Sequence, residues 1–355
     1  MVKKGSIVVI LNELLTKKDL QKIKSRLEEL KELIKNTENS WVNDFPEYYF
    51  TSHEKFRSFL SAEINQILET KTLERSQYYI QRLIKGFTES DLNEINDLNL
   101  NLWKQYDDII TDSLWIIDKR DSSGAHNAGY WGNFVPQIPN QLLRRFTKKG
   151  EWCLDPFIGS GTTLIECKRL GRNCIGVELL PEIVDLAKKN LAKEENLFDN
   201  KVHTEIICGD SREIKFEDEF QKLGIKSVQF VIMHPPYWDI IKFSEEERDL
   251  SNSKNIDDFL LSLGVIIDNI IELLDSGRYL ALIIGDKYSG SEWIPLGFYA
   301  MQEIMKRKFR LKSTIVKNFD ETKGKMNQKE LWRYRALKGG FYIFKHEYIF
   351  LFQKL

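Results

Sequence analysis

Leu154-Asp155-Pro156-Phe157-Ile158-Gly159-Ser160-Gly161-Thr162-Thr163 joins a short apolar run (Trp152, Cys153, Leu154) to an amphipathic one (Leu164, Ile165, Cys167, Leu170). That order spells strand, tight glycine turn, helix. Gly159 and Gly161 let the backbone bend sharply and approach a ligand without a Cβ in the way. The helix that follows turns free N–H groups and a positive dipole end toward the same ligand. A dinucleotide site would need a third glycine at G-x-G-x-x-G spacing, and a P-loop would need Gly-Lys-Ser/Thr; neither is present.

From Trp152 onward strand and helix patterns alternate. Strands are expected at Trp152–Phe157, Asn173–Leu179, Glu205–Cys208, Val228–Met233, Tyr279–Gly285, Leu311–Lys317 and Tyr348–Gln353. Helices are expected at Thr162–Leu170, Pro181–Glu195, Ile256–Leu274 and Pro295–Lys308. This is the grammar of an α/β fold with a parallel, doubly wound sheet, whose ligands bind beyond the carboxyl ends of the strands. The last strand has no room for a crossover helix before it and is expected to run antiparallel.

The earlier part of the chain reads differently. After a β-branched run, Ile7-Val8-Val9-Ile10, Thr16 looks like an N-cap for a helix over Lys17–Lys35. Apolar residues recur there at helical spacing (Leu20, Ile23, Leu27, Leu30, Ile34). Further helices are expected at His53–Glu69, Leu73–Gly86 and Asp91–Trp115. The division expected is a helical region over residues 1–115 and an α/β domain over 116–355, with 318–345 as an inserted basic and aromatic segment.

Beyond the fourth expected strand comes Met233-His234-Pro235-Pro236-Tyr237-Trp238. The glycine turn and this motif together resemble those of the DNA amino-methyltransferases, over roughly Gly129 to Leu355 and not over the first hundred or so residues. The resemblance implies a Rossmann-like methyltransferase sheet, to which the helical pattern adds an all-α N-terminal extension, with S-adenosylmethionine as methyl donor and DNA as substrate. It also leaves room for a cognate restriction nuclease or another defence component as partner. It assigns the donor site to Asp155, Phe157, Gly159, Gly161 and Thr162. Glu178, at the end of the second strand, is expected on the ribose hydroxyls. Asp210 is expected on the adenine amino group or, alternatively, as a helix cap. Phe134 to Pro139, after the polar loop Asp118–Gly132, corresponds by position to the family segment beside the donor's methionine end; a proline-punctuated lead-in to a helix reads equally well.

His234, Pro235, Pro236 and Tyr237 are the expected catalytic residues. An exocyclic amino nitrogen is a poor nucleophile because its lone pair is delocalised into the ring. A side-chain acceptor and a backbone carbonyl, held by the restricted φ of two prolines, draw on its hydrogens and free that pair. Tyr237, and Trp238 beside it, are expected to stack on a base turned out of the duplex. The family opens this motif with Asp, Asn or Ser. His234 departs from that set, so the target stays open between adenine N6 and cytosine N4. A neutral imidazole accepts through one nitrogen and fails once protonated.

Only two expected strands separate the motifs, so no recognition domain fits between them. Recognition falls to the N-terminal helices, to Asp239–Asp258 or to Asn318–Lys345, where Lys325, Arg333 and Arg335 interleave with aromatic residues. The net charge of −1 rules out a global basic signature and makes any nucleic-acid surface a local patch. Cys153, Cys167, Cys174 and Cys208 have no CxxC spacing and read as reduced core residues. No metal site is expected from the five scattered histidines. With no signal peptide and no apolar run of ~18 residues, a cytoplasmic location is expected. The same pattern suits an RNA amino-group methyltransferase, or a non-catalytic nucleic-acid-binding protein that keeps the fold.

Overall fold

The computed structural model describes residues 4–36, 53–126, 130, 132–194, 202–319 and 329–355. They form two compact units, Met1–Glu94 with Leu98–Ile109, and Ile95–Asp97 with Ile110–Leu355.

In the first unit, helices α1 (Lys4–Leu15), α2 (Leu20–Asn36), α3 (His53–Leu68) and α4 (Leu73–Thr88) share one apolar core. The β-branched run Ile7–Ile10 is helical, because Ile7, Leu11 and Leu14 recur along one face and are buried by packing. Tertiary burial outweighs the weak propensity penalty of Ile and Val. Asp19, not Thr16, caps α2: its Oδ1 accepts from Gln21 N at 2.9 Å. Thr16 instead donates back to Glu13 O at 2.8 Å, at the end of α1. The helix expected over Asp91–Trp115 does not form. Asn99 Oδ1 accepts from Asp91 N (3.0 Å) and Asn101 N (3.1 Å), and this side-chain competition for the backbone leaves only a 3₁₀ turn at Leu100–Gln105.

Among the described residues the second unit holds one eight-stranded sheet and a small hairpin. In chain order the strands are β1 (Leu114–Trp115), β2 (Trp152–Asp155), β3 (Asn173–Glu178), β4 (Thr204–Cys208), β5 (Val228–Met233), β6 (Leu274–Ile284), the hairpin pair β7 (Lys287–Ser289) and β8 (Glu292–Ile294), β9 (Phe309–Asn318) and β10 (His346–Lys354). The sheet order is β1-β9-β10-β6-β5-β2-β3-β4. Its pairings are parallel except those of β10, which lies antiparallel between β6 and β9 as expected. The expectation of an all-α stretch to residue 115 therefore fails at its end, since Leu114 and Trp115 pair with Val316 and Lys317.

The helices of this unit are α5 (Gln137–Phe146), α6 (Thr162–Leu170), α7 (Pro181–Lys193), α8 (Phe216–Leu223), α9 (Ile256–Ile271), α10 (Leu296–Met305) and α11 (Lys329–Gly339). Alternation along β6 and β10 supplies both sheet faces. Leu280, Leu282, Ile284, Phe350 and Phe352 pack with α8, α9 and α10. Ala281, Ile283, Ile349 and Leu351 pack with α5, α6 and α7. The result is a Rossmann-like three-layer α/β unit. The pattern had not revealed α8, whose only buried residues are Phe216 and Phe220 within a charged run, nor the hairpin, nor α11.

The chain runs outward from β2 through β3 to β4, then crosses to β5 on the other side of β2. The switch point therefore lies between β2 and β5. Ile158, in the turn after β2, sits directly over Gly176 of β3, where a Cβ would come within 2.2 Å of Ile158 Cγ2. Gly176→Ala should therefore destabilise this unit by about 1–3 kcal/mol through overpacking, read as a lower urea midpoint by circular dichroism. An unchanged midpoint would show that the turn yields freely.

Candidate active site

The glycine turn forms as its residues demand. Gly159 and Gly161 take φ of +50° and +93°, left-handed values open to glycine. Ile158 N donates to Val177 O at 3.0 Å, and Gly161 N to Ile158 O at 2.9 Å. Asp155 is fully buried beneath the turn. Its Oδ1 accepts from Phe157 N at 2.9 Å and its Oδ2 from Thr163 Oγ1 at 2.6 Å. Burial pushes its carboxyl up to about 7, against the pull of those two donors. Asp155 is thus a brace that ties the end of β2 to the start of α6, and it does not line the cavity. Nor does Gly161, whose left-handed φ of +93° at the start of α6 favours glycine.

Above the turn opens a cavity of about 1100 Å³. Phe157, Gly159, Thr162, Glu178 and Asp210 line one part; His234, Pro235, Pro236 and Tyr237 line another. Gly159 faces Tyr130, whose Cε1 would lie 3.2 Å from an added Cβ. Glu178 Oε1 accepts from Leu180 N at 3.0 Å, and burial raises its carboxyl. Asp210 is clasped by Arg212, with Nη2 at 2.6 Å from Oδ2, and its Oδ1 accepts from Arg212 N at 2.9 Å. It is a cavity wall and caps the turn at 211–213, and it does not cap the next helix, whose N-cap is Lys215. Asn133 Oδ1 accepts from Ser160 Oγ at 2.7 Å, and Phe134 meets the His234 ring edge-on at 4.8 Å. The segment ahead of α5 therefore touches both motifs while also leading into the helix.

The Pro-Pro turn leaves the end of β5 with its side chains locked from below. His234 Nε2 lies 3.2 Å from Tyr237 Oη, and Tyr237 Oη donates to Glu347 Oε2 at 2.8 Å. Glu347 Oε1 accepts from Lys317 Nζ at 3.1 Å in a buried ion pair. Gly285, at the end of β6, makes room for the ring: a Cβ there would sit 2.9 Å from Tyr237 Cε2. Burial lowers His234 to about 4, opposed by Glu347 and reinforced by Lys317, so its ring is neutral near pH 7. The acid in reach of His234 is Glu347, not Asp239, which pairs with Lys287. Glu347 and Lys317 were missed in the sequence, although a charge inside the apolar runs Ile315–Lys317 and Glu347–Phe352 was the signal that marks them.

Trp238 does not join Tyr237 at the cavity. Its φ is +49°, its Nε1 donates to Ser253 O at 2.9 Å, and Lys287 Nζ lies 4.0 Å from its ring centroid. The aromatic wall comes instead from Trp332, Phe341, Tyr342 and Phe344. Phe341 stacks on Tyr288 of β7 at 4.1 Å and Phe344 meets Trp293 of β8 at 4.2 Å. Arg333 and Arg335 are exposed on α11 and do not line the cavity. Lys325 lies outside the described residues. The Sγ atoms of Cys153, Cys167 and Cys174 lie within 4.8 Å of one another as buried free thiols; burial pushes Cys153 and Cys174 up, while against the same burial the hydrogen bonds of the other two thiols draw Cys167 down to about 6.

The sequence profile of the DNA methylase family matches residues 2–189. The chain belongs to the DNA methylase family. The match begins near the first residue, so family likeness reaches into the helical unit, which bears no motif that could have revealed it; the expectation that the first hundred residues lie outside is corrected. The chain is 41% identical over 64 residues to the type II methyltransferase M.MjaII of Methanocaldococcus jannaschii, covering 18% of this chain and 12% of that one. It is 40% identical over 99 residues to M2.DpnII of Streptococcus pneumoniae (27% and 34%), and 35% identical over 120 residues to M2.LlaDCHI of Lactococcus lactis subsp. cremoris (33% and 36%). The matches thus span from about an eighth to about a third of these relatives. Among solved structures, a SAM-dependent methyltransferase from Methanosarcina mazei aligns at TM-score 0.40 and 15% identity over 63% of this chain and 99% of that one. TrmN from Thermus thermophilus aligns at 0.39 and 16%, over 62% and 49%.

S-adenosylmethionine is the methyl donor of this family, and the cavity suits it. The bare Gly159, Thr162 at the N-terminus of α6, and the acids Glu178 and Asp210 at strand ends all line it. Among the described residues no helix is long and apolar enough to cross a membrane.

A histidine depressed to about 4 in the folded chain and near 6.5 when unfolded contributes stability above about pH 6.5. That contribution, about 3 kcal/mol at most, is lost as pH falls through the folded value. Urea unfolding of wild type and His234→Asn at about pH 7 and about pH 4.5 should show the wild type losing more stability on acidification than the variant. Equal losses would mean that His234 is not buried neutral.

Proposed function

We propose that this protein transfers a methyl group from S-adenosylmethionine to an exocyclic amino group of a base in DNA, cytosine N4 or adenine N6. The observation that carries the reading is the cavity shared by the glycine turn and His234-Pro235-Pro236-Tyr237. A donor over the first and a base over the second would meet without any rearrangement of the sheet.

Bound, S-adenosylmethionine supplies an electrophilic methyl group. Gly159 and Thr162 would leave backbone and helix N-terminus open to it; Phe157 would pack against it; Glu178 would accept from its ribose hydroxyls and Asp210 from its adenine amino group. On the other side the neutral His234 ring and the Pro235 carbonyl draw on the target amino hydrogens, while Tyr237 stacks on the base. The N–C bond would form as the donor's S–C bond broke, and the proton shed by the nitrogen would pass to the imidazole and on to solvent. The aromatic wall Trp332, Phe341, Tyr342 and Phe344 suits a base turned out of a duplex, and Arg333 and Arg335 suit the neighbouring phosphates. Type II methyltransferases are named among its relatives, which favours DNA over RNA and makes a cognate nuclease the partner to look for.

The test is incubation of unmodified genomic DNA with the chain and isotopically labelled donor, followed by mass spectrometry of the bases. Label in N4-methylcytosine or N6-methyladenine is expected; label on RNA alone, or on neither, overturns the reading. His234→Ala should cut single-turnover transfer by about 100-fold while donor affinity holds, because the lost bond matters mainly in the transition state. Gly159→Val places a β-branched residue at a left-handed φ against Tyr130, and should abolish donor binding in calorimetry.

If α11 faces the phosphates, Arg333→Glu with Arg335→Glu should weaken DNA binding and lower its log–log salt slope by about two, at unchanged donor affinity. An unaltered slope moves recognition to another surface.

A further inference from the structure

We propose that Glu347, on the last strand, is a positioning residue that selects the tautomer of His234. It acts through Tyr237, so that Nε2 carries the proton and Nδ1 is left as the bare acceptor for the target amino group. This rests on the amino-group transfer proposed above and names the atom that performs it.

Each proton along one chain of contacts is fixed by its neighbour. Lys317 Nζ, an obligate donor, holds Glu347 Oε1 at 3.1 Å. The paired carboxylate is therefore ionised and can only accept. Its other oxygen lies 2.8 Å from Tyr237 Oη. Tyr237 has a single hydroxyl proton, and only by giving it to Glu347 does that contact avoid setting two acceptors against each other. Tyr237 Oη then has lone pairs alone to offer His234 Nε2 at 3.2 Å, so Nε2 must be the protonated nitrogen. A neutral imidazole carries one proton, and Nδ1 is bare. Among the described residues Nδ1 has no hydrogen-bond partner, and His234 lines the cavity. The edge-on contact with Phe134 at 4.8 Å and the space left by Gly285 hold the two rings in this arrangement.

The chain also accounts for a histidine where the family uses Asp, Asn or Ser. Asp and Ser have an oxygen whose lone pairs serve without selection, and an Asn amide needs only its orientation fixed. An imidazole serves through one of two nitrogens, and needs a partner that removes the ambiguity. Glu347 and Lys317 come from the ends of β10 and β9, which flank each other in the sheet through Glu347↔Lys317.

The direct test is the ¹⁵N spectrum of the histidine side chains in the full chain near neutral pH, with His234 assigned by its loss in His234→Asn. The expected wild-type pattern is a protonated Nε2 and an unprotonated Nδ1. A protonated Nδ1, or averaging of the two tautomers, overturns the inference whatever the enzyme does. Glu347→Gln presents an amide that can donate to Tyr237, letting the hydroxyl turn toward His234 Nε2 and moving the ring proton to Nδ1. Its kcat should fall about 100-fold, as in His234→Ala and short of the roughly 10⁴-fold that a wrong tautomer costs in a hydrolytic triad, with KM for donor and DNA held. Added to Tyr237→Phe, which cuts the chain, Glu347→Gln should cost nothing further in kcat. If it costs the same in both backgrounds, Glu347 acts by another route and the inference fails. Should Glu347→Gln melt early because Lys317 is left unpaired, the pair Lys317→Met with Glu347→Gln repeats the measurement without the orphan charge. The expected tautomer in a chain that methylates nothing would leave this inference standing and sink the proposed activity instead.

Discussion

The parallel pairing of β2 on β5 is the constraint on which the site depends. Cys153 pairs with Phe230 and Leu154 with Val231, so the two strands end at the same edge of the sheet. The glycine turn leaves from one and His234-Pro235-Pro236-Tyr237 from the other. Were β5 antiparallel to β2, its carboxyl end would lie at the opposite edge, and the motifs would share no cavity. The doubly wound topology makes this register cheap to hold, since both strands are buried on both faces by apolar side chains.

Polar groups buried beneath the two turns serve a different end from the apolar layers. Asp155 holds two donors of its own loop and nothing else, and a carboxyl raised to about 7 marks the cost of keeping it dry. Lys317 and Glu347 bury a charge pair under Tyr237. Such pairs are weak sources of net stability, because desolvation offsets their attraction. Their effect here is geometric: each holds a turn that carries candidate-site side chains in one conformation. The same logic sets Gly176 and Gly285, which are small because Ile158 and Tyr237 need the space.

Much of the sheet was legible because burial on two faces writes near-continuous apolar runs bounded by glycine and proline. Val228–Met233 and Thr162–Leu170 are found at the boundaries expected for them. Errors fell where side chains compete with the backbone or where partners come from afar. Asn99 turns a stretch read as helix into a 3₁₀ turn. Thr16 loses its capping role to Asp19 because α1 runs through the β-branched residues and ends on it. Trp238, adjacent to Tyr237, was read as its neighbour in stacking, but a left-handed φ sends its indole to Ser253.

The sequence by itself determined the α/β class, the glycine turn with its family, and the Pro-Pro-Tyr corner. Each of these is local: a strand, a turn and a helix start are specified by residues within reach of one another along the chain. Tertiary structure alone decided what surrounds them. It brought Glu347 and Lys317 beneath His234 and drew Asp155 under its turn. It also put the wall of the cavity on Trp332, Phe341, Tyr342 and Phe344 in place of Trp238. Those contacts join strands far apart in sequence, and no pattern along the chain encodes which ends of a sheet will meet until its order and register are set.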